Sequence, residues 1–177
     1  MHLQCTKAMI VYANPDINEK NTDHDLYAWH AHIVKRSRKN LLILMHDLSR
    51  FTLVFYGFKK IHLKELYPII TIALMNSLTG VGFTLDQIKN YFDQQPNDLT
   101  FGHSKNRTLV ARLNKAVETA DIFLSQEGYY EDNIEQTHAS IFCNEFLVCE
   151  NNYKVCYEPK DKFKAYLELM NDGSTTQ

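Results

Sequence analysis

Between Tyr27 and Phe58 apolar and polar residues exchange places with the period of β structure. Trp29-His30-Ala31-His32-Ile33-Val34 alternates and runs into Lys35-Arg36-Ser37-Arg38-Lys39-Asn40. Leu41-Leu42-Ile43-Leu44-Met45-His46 follows, then a turn at Asp47-Leu48-Ser49-Arg50, then Phe51-Thr52-Leu53-Val54-Phe55-Tyr56. These connections are too short for a parallel crossover, so the pattern predicts an antiparallel three-stranded meander over residues 27–56. The middle run, Leu41 to Met45, is apolar at every position, as strands buried on both faces are. Each face of the sheet therefore needs a cover. A three-residue turn at Ser37-Arg38-Lys39 would set His30 opposite His46 and His32 opposite Leu44. Trp29, Ala31, Ile33, Ile43 and Met45 would then share the other face.

Helical spacing supplies the cover. Leu66, Ile69, Ile70, Ala73 and Leu74 predict a helix over Leu66 to Leu78, with Pro68 in its first turn and Gly80 and Gly82 at its end. Thr84-Leu85-Asp86-Gln87 is a capping-box pattern, and Ile88, Tyr91 and Phe92 face inward behind it. A long amphipathic helix from about Arg107 to Leu124 presents Val110, Leu113, Val117, Ala120 and Leu124. Gly128 breaks the chain after it. Asn133 to Phe146 reads as a helix, with a strand over Ile141 to Cys149 as its rival. Pro159 starts a last helix through Met170, with Phe163, Tyr166, Leu167 and Met170 inward. His2 to Cys5 and Leu99 to Gly102 read as short strands, and Thr6 as the cap of a short helix through Tyr12. Asn14 to Asp25 is polar and aperiodic, either a lid or a surface excursion. The expectation is one α+β domain over residues 1–170 with a frayed tail over 171–177.

Composition changes this picture little. The chain has 177 residues, 45% hydrophobic and 23% charged, which is ordinary for a globular domain. A net charge of -2 excludes a bulk polyanion binder but leaves room for a local basic patch. No apolar run approaches a membrane span, and Met1-His2-Leu3-Gln4-Cys5 does not begin a signal peptide. Cys5, Cys143, Cys149 and Cys156 contain no C-x-x-C pair. The reading is a reduced, cytoplasmic protein with structural thiols.

Three groups of residues could carry chemistry. His103-Ser104-Lys105-Asn106-Arg107 precedes and opens the long helix, where cations meet the positive end of the helix dipole. A phosphate or carboxylate held by Ser104, Lys105, Asn106 and Arg107 would reverse that penalty. A tolerated surface charge is the plain alternative. Lys35, Arg36, Arg38 and Lys39 form a basic turn, with Lys59 and Lys60 after the third strand. Tyr56 and His30 could add stacking surfaces to it, and a solvated hairpin tip is the plain alternative. His30, His32 and His46, in the register above, could hold zinc at an open three-histidine site. A row of satisfied imidazoles is the plain alternative there. No nucleophile elbow, phosphate loop or dinucleotide fingerprint is present.

Several fragments carry a likeness: Leu3-Gln4-Cys5-Thr6-Lys7, Trp29-His30-Ala31-His32, the basic turn, Tyr56-Gly57, and Asn106-Arg107-Thr108-Leu109 with the helix behind it. Over roughly two thirds of the chain this resembles a bacterial family of uncharacterised proteins. Its members open on Cys-Thr-Lys, carry a Trp-His/Tyr-Ala-Asn strand and start a helix with Asn-Arg-Ser/Thr-Leu. His32 stands where that family has Asn. The resemblance implies neighbours among plasmid- and transposon-borne proteins and no established activity. The residues themselves lead to a non-enzymatic binding or regulatory module for an anion, either a small phosphorylated molecule or a nucleic-acid phosphate. The alternatives are a metal-dependent hydrolase on the histidine face and a structural or homo-oligomerising protein.

Overall fold

A computed structural model describes residues 1–18, 25–104, 106–127, 133–150 and 153–173. Its strands are β1 (His2–Cys5), β2 (Ala28–Arg36), β3 (Lys39–His46), β4 (Thr52–Tyr56) and β5 (Thr100–His103), with a small β6 (Val148–Glu150) and β7 (Val155–Tyr157). Its helices are α1 (Lys7–Ala13), α2 (Leu66–Gly80), α3 (Leu85–Gln94), α4 (Arg107–Glu127), α5 (Thr137–Glu145) and α6 (Pro159–Gly173). The expected meander is β2-β3-β4. It belongs to a larger mixed sheet of order β4-β3-β2-β1-β5, in which β1 lies parallel to both of its neighbours.

The register differs from expectation by one residue. Ser37 and Arg38 alone make the turn, with φ of 46° and 70°, the left-handed pair that a two-residue type I′ hairpin requires. Arg36 pairs with Lys39, His32 with Ile43, His30 with Met45 and Trp29 with His46. One residue of slip exchanges the faces. Ile43 and Met45 therefore lie opposite Trp29, Ala31 and Ile33, not beside them.

Both faces are covered. Trp29, Ala31, Leu42, Leu44, Leu53 and Phe55 pack on Leu66, Ile70 and Leu74 of α2, Ile88 and Tyr91 of α3, and Phe163 of α6. Leu41, Ile43, Met45, Val54 and Tyr56 pack on Leu113, Val117, Ala120 and Leu124 of α4 and on Ala139 and Cys143 of α5. Leu109 is the first buried residue of the α4 stripe, and Val110 is only half-buried. The Thr84 capping box forms as the pattern predicts, with Gln87 N–H donating to Thr84 Oγ1 at 3.2 Å.

Three boundaries shift. The helix expected over Asn133 to Phe146 is confined to α5, because residues 134–136 run along the sheet edge. Tyr56 N–H donates to the Ile134 carbonyl and Gln136 N–H to the Val54 carbonyl. The rival strand is realised only as β6. The last helix continues through Gly173, three residues into the expected tail, and residues 174–177 lie outside the described residues, as do 19–24 of the expected loop and Gly128.

Candidate functional site

The tight turn decides what the basic residues can do. Alternation along β2 sends Arg36 towards α4, where its Nε donates to Asp121 Oδ2 at 2.6 Å. Lys35 and Arg38, with Lys39 at the start of β3, remain at the tip. Beyond β4 the chain turns back at Gly57 (φ 76°). Asn40 clamps this return. Its carbonyl accepts from Gly57 N–H at 2.9 Å and from Phe58 N–H at 3.2 Å, and its Nδ2 donates to the Phe58 carbonyl at 2.8 Å. Lys59 and His62 are thereby folded against the hairpin. Lys59 N–H donates to His62 Nδ1 at 3.0 Å, so this imidazole keeps its proton on Nε2.

The result is a cavity of about 290 Å³ lined by Lys35, Arg38, Lys39, Asn40, Tyr56, Gly57, Phe58, Lys59, His62 and Ile134. Four cationic side chains from two segments meet here, and no carboxylate stands among the described lining residues. Lys39 Nζ lies 5.6 Å from the Tyr56 ring centroid, within cation–π reach. Lys60, expected to join this group, instead stands over the Tyr12 ring at 5.8 Å. His62 was not foreseen. Its place depends on the turn after Gly57, which no local spacing encodes.

The histidines separate. His46 faces the α2/α3/α6 side, wholly buried against Trp29 and Phe163. Its Nε2–H donates to the Leu26 carbonyl at 3.0 Å, and its Nδ1 accepts from Ser49 N–H at 3.2 Å. Burial pushes its pKa down to about 3, against the pull of the Leu26 carbonyl and with help from Lys162. His30 lies on the opposite face, also wholly buried, so it offers no stacking surface. Its Nδ1 is 2.6 Å from Asp47 Oδ1, and Gln4 Nε2 donates to Asp47 Oδ2 at 2.8 Å. His32 Nδ1 is bonded to Thr6 Oγ1 at 2.8 Å. The proposed zinc trio cannot share an ion across the sheet, and no group of three metal-binding side chains occurs among the described residues.

The start of α4 supplies its own acceptor. Asn106 Oδ1 takes the N–H groups of Thr108 at 3.0 Å and Leu109 at 3.2 Å, the usual service of an Asn N-cap. Those are donors that an anion there would have used. Ser104 N–H is bonded to the Cys5 carbonyl at 2.9 Å, and its hydroxyl is enclosed without a partner. Arg107 is exposed. Lys105 lies outside the described residues.

The cysteines correct the thiol reading. Cys149 and Cys156 form a disulfide across the β6–β7 hairpin. Cys5 and Cys143 are free and buried, and burial pushes both thiols up to about 12, which makes them poor nucleophiles. Beside the disulfide, Glu150 Oε1 receives Tyr157 Oη–H at 2.7 Å and lies 3.2 Å from Arg112, 3.3 Å from Arg50 and 3.7 Å from Lys162. Nothing in the sequence pattern joins these five residues, which come from four elements and a turn.

A family model described as "Domain of unknown function (DUF6933)" matches residues 2–162, and the chain belongs to that family. Neither a curated protein nor a solved structure matches the chain. No helix among the described residues is long and apolar enough to cross a membrane.

Proposed function

We propose that the protein is a non-enzymatic binding module for a phosphate-type anion, seated at the β2–β3 hairpin tip. The observation that carries this reading is the convergence of Lys35, Arg38, Lys39 and Lys59 on one cavity, with no carboxylate among its described lining residues. Lys35, Arg38 and Lys59 are exposed, and cations lining one cavity raise the local concentration of anions. Arg38 offers a planar fork that matches a phosphate in two bonds, and the lysines add point charges. Asn40 fixes the cavity wall, so little ordering accompanies binding. A volume of about 290 Å³ fits a phosphate group with a small body, at the low end of ligand cavities. A small phosphorylated molecule is accordingly the first choice and a nucleic-acid phosphate the second. The α4 start is the lesser locus, because Asn106 already occupies its donors. A cytoplasmic setting stays part of the proposal, although the Cys149–Cys156 disulfide is a bond that reducing compartments disfavour.

The test is calorimetric titration with tripolyphosphate and, separately, with a labelled single-stranded oligonucleotide, each across a salt series. Saturable tripolyphosphate binding that weakens with salt supports the reading. Tight oligonucleotide binding with a steep salt slope moves the assignment to nucleic acid. Binding of neither contradicts it.

A further inference from the structure

We propose a second binding site, for a small amphipathic anion, in the cavity between α4 and the disulfide-closed β6–β7 hairpin. This cavity, about 480 Å³, is distinct from the hairpin-tip site and shares no lining residue with it. Its two walls differ in character. One wall carries Arg50, Arg112 and Lys115; the other carries Phe146, Leu147 and Tyr153. The apolar wall is uncovered: Phe146 is 43% exposed, Leu147 57% and Tyr153 86%. Side chains of this kind gain by covering, and a ligand of drug size fits the volume.

The cationic wall is incompletely neutralised. Lys115 is paired with Glu118 at 2.7 Å, which leaves Glu150 as the one carboxylate among the described lining residues to serve both Arg50 and Arg112. Its Oε1 alone serves Arg50, Arg112, Lys162 and the Tyr157 hydroxyl. Arg50 is held in place by its bond to the Cys149 carbonyl at 3.4 Å and its pair with Glu150 at 3.3 Å, and its Nε is buried without a partner. Such an arginine is positioned before any ligand arrives, which lowers the ordering cost of binding. An acid group beside Arg112 would add the missing negative charge, and an apolar or aromatic body would lie along Phe146 and Leu147. Glu150 then acts as an internal competitor for the same cations.

That competition gives a test with opposite signs at neighbouring residues. The probes are 1-naphthyl phosphate and 1-naphthoate, which each place one acid group, a phosphate or a carboxylate, on the same naphthyl body. Their controls are 1-naphthalenemethanol and inorganic phosphate. Titrations use the full oxidised chain, its disulfide verified by mass spectrometry. The expected result is saturable binding of at least one naphthyl acid, weakened tenfold or more by Arg112→Gln and strengthened severalfold by Glu150→Gln. Gln at 150 keeps an acceptor for the Tyr157 hydroxyl, and circular dichroism checks that both variants fold. Should Arg112→Gln fail to fold, Lys115→Gln, at an exposed position, replaces it with an expected loss of severalfold. Which acid binds more tightly identifies the head group. Equal binding of 1-naphthalenemethanol would reduce the site to an apolar surface, and equal binding of inorganic phosphate would remove the apolar wall from it; either overturns the proposal. Unchanged affinity in both variants, or no binding, overturns it as well. Because the hairpin-tip site should itself take a phosphate, every titration is made in the Arg38→Gln, Lys59→Gln background, so binding read here belongs to this cavity and failure here is separate from failure at the hairpin tip.

Discussion

Asn144 closes the sheet edge on Thr52. Its Oδ1 accepts from Thr52 N–H at 2.7 Å, and its Nδ2 donates to the Thr52 carbonyl at 2.9 Å. One amide side chain thus does the work of a neighbouring strand. Ser140 extends the arrangement by accepting from Val54 N–H at 2.9 Å. An uncovered edge strand is open to pairing with other chains, and here α5 removes that opening. Both residues are buried, Asn144 at 0% and Thr52 at 2% exposure, so water cannot replace the lost bonds. Asn144→Ala should lower stability by about 2–4 kcal/mol, the cost of two orphaned buried backbone groups. Urea denaturation measures it, and a loss below about 0.5 kcal/mol would show that the edge does not depend on this pair.

Acid should weaken the fold through His46. The ring is neutral in the folded protein, and burial keeps its pKa near about 3. In the unfolded chain it titrates at about 6.5. Below that value the unfolded state binds a proton that the folded state refuses, so stability falls as pH falls. The slope approaches about 1.4 kcal/mol per pH unit. Between pH 6.5 and 5 the carboxylates contribute little, and His32, whose pKa is also held down by burial and by Arg36, adds a slope of the same sign, so the His46 share is read as the difference between wild type and His46→Gln. Equilibrium unfolding at several pH values should show the slope in the wild type and a flatter one in His46→Gln. Equal slopes would contradict the assignment.

The turn at the hairpin tip stores a local cost. Ser37 and Arg38 both hold positive φ, where side chains other than Asn, Asp and Gly are disfavoured by about 1–2 kcal/mol. Replacing them with Asn-Gly should raise stability by about 0.5–1 kcal/mol, because that pair suits a type I′ turn. The same change removes the Arg38 guanidinium and should weaken anion binding. Thermal unfolding and tripolyphosphate titration on the Ser37→Asn, Arg38→Gly protein should therefore move in opposite directions. A stability gain with unchanged binding would take Arg38 out of the site.

Strand positions in the meander were legible because alternation is local and the middle strand is apolar throughout. Register was not legible, because it depends on whether the turn holds two residues or three, and Ser-Arg is a poor signature for the shorter one. That single residue moved His46 away from His30 and dissolved the zinc reading. The parallel strands β1 and β5 are four residues long, too short to declare their partners, and their pairing spans about a hundred positions of chain. The basic turn was visible as a charge cluster, but its division was not. Arg36 is withdrawn by Asp121, 85 positions away, and Lys59 joins only because Asn40 folds the chain back. The Cys149–Cys156 pairing hid for a similar reason: β6 and β7 have three residues each, which shows no period at all.

The account stands most directly on tripolyphosphate titration of three proteins at low salt: wild type, the Arg38→Gln, Lys59→Gln double variant, and Arg107→Gln. All three positions are exposed, so each substitution should leave the fold unchanged. The account predicts saturable binding to the wild type, a loss of at least tenfold in the double variant, and an affinity within twofold of wild type in Arg107→Gln. Equal binding by wild type and the double variant, or a loss confined to Arg107→Gln, would contradict a site at the hairpin tip.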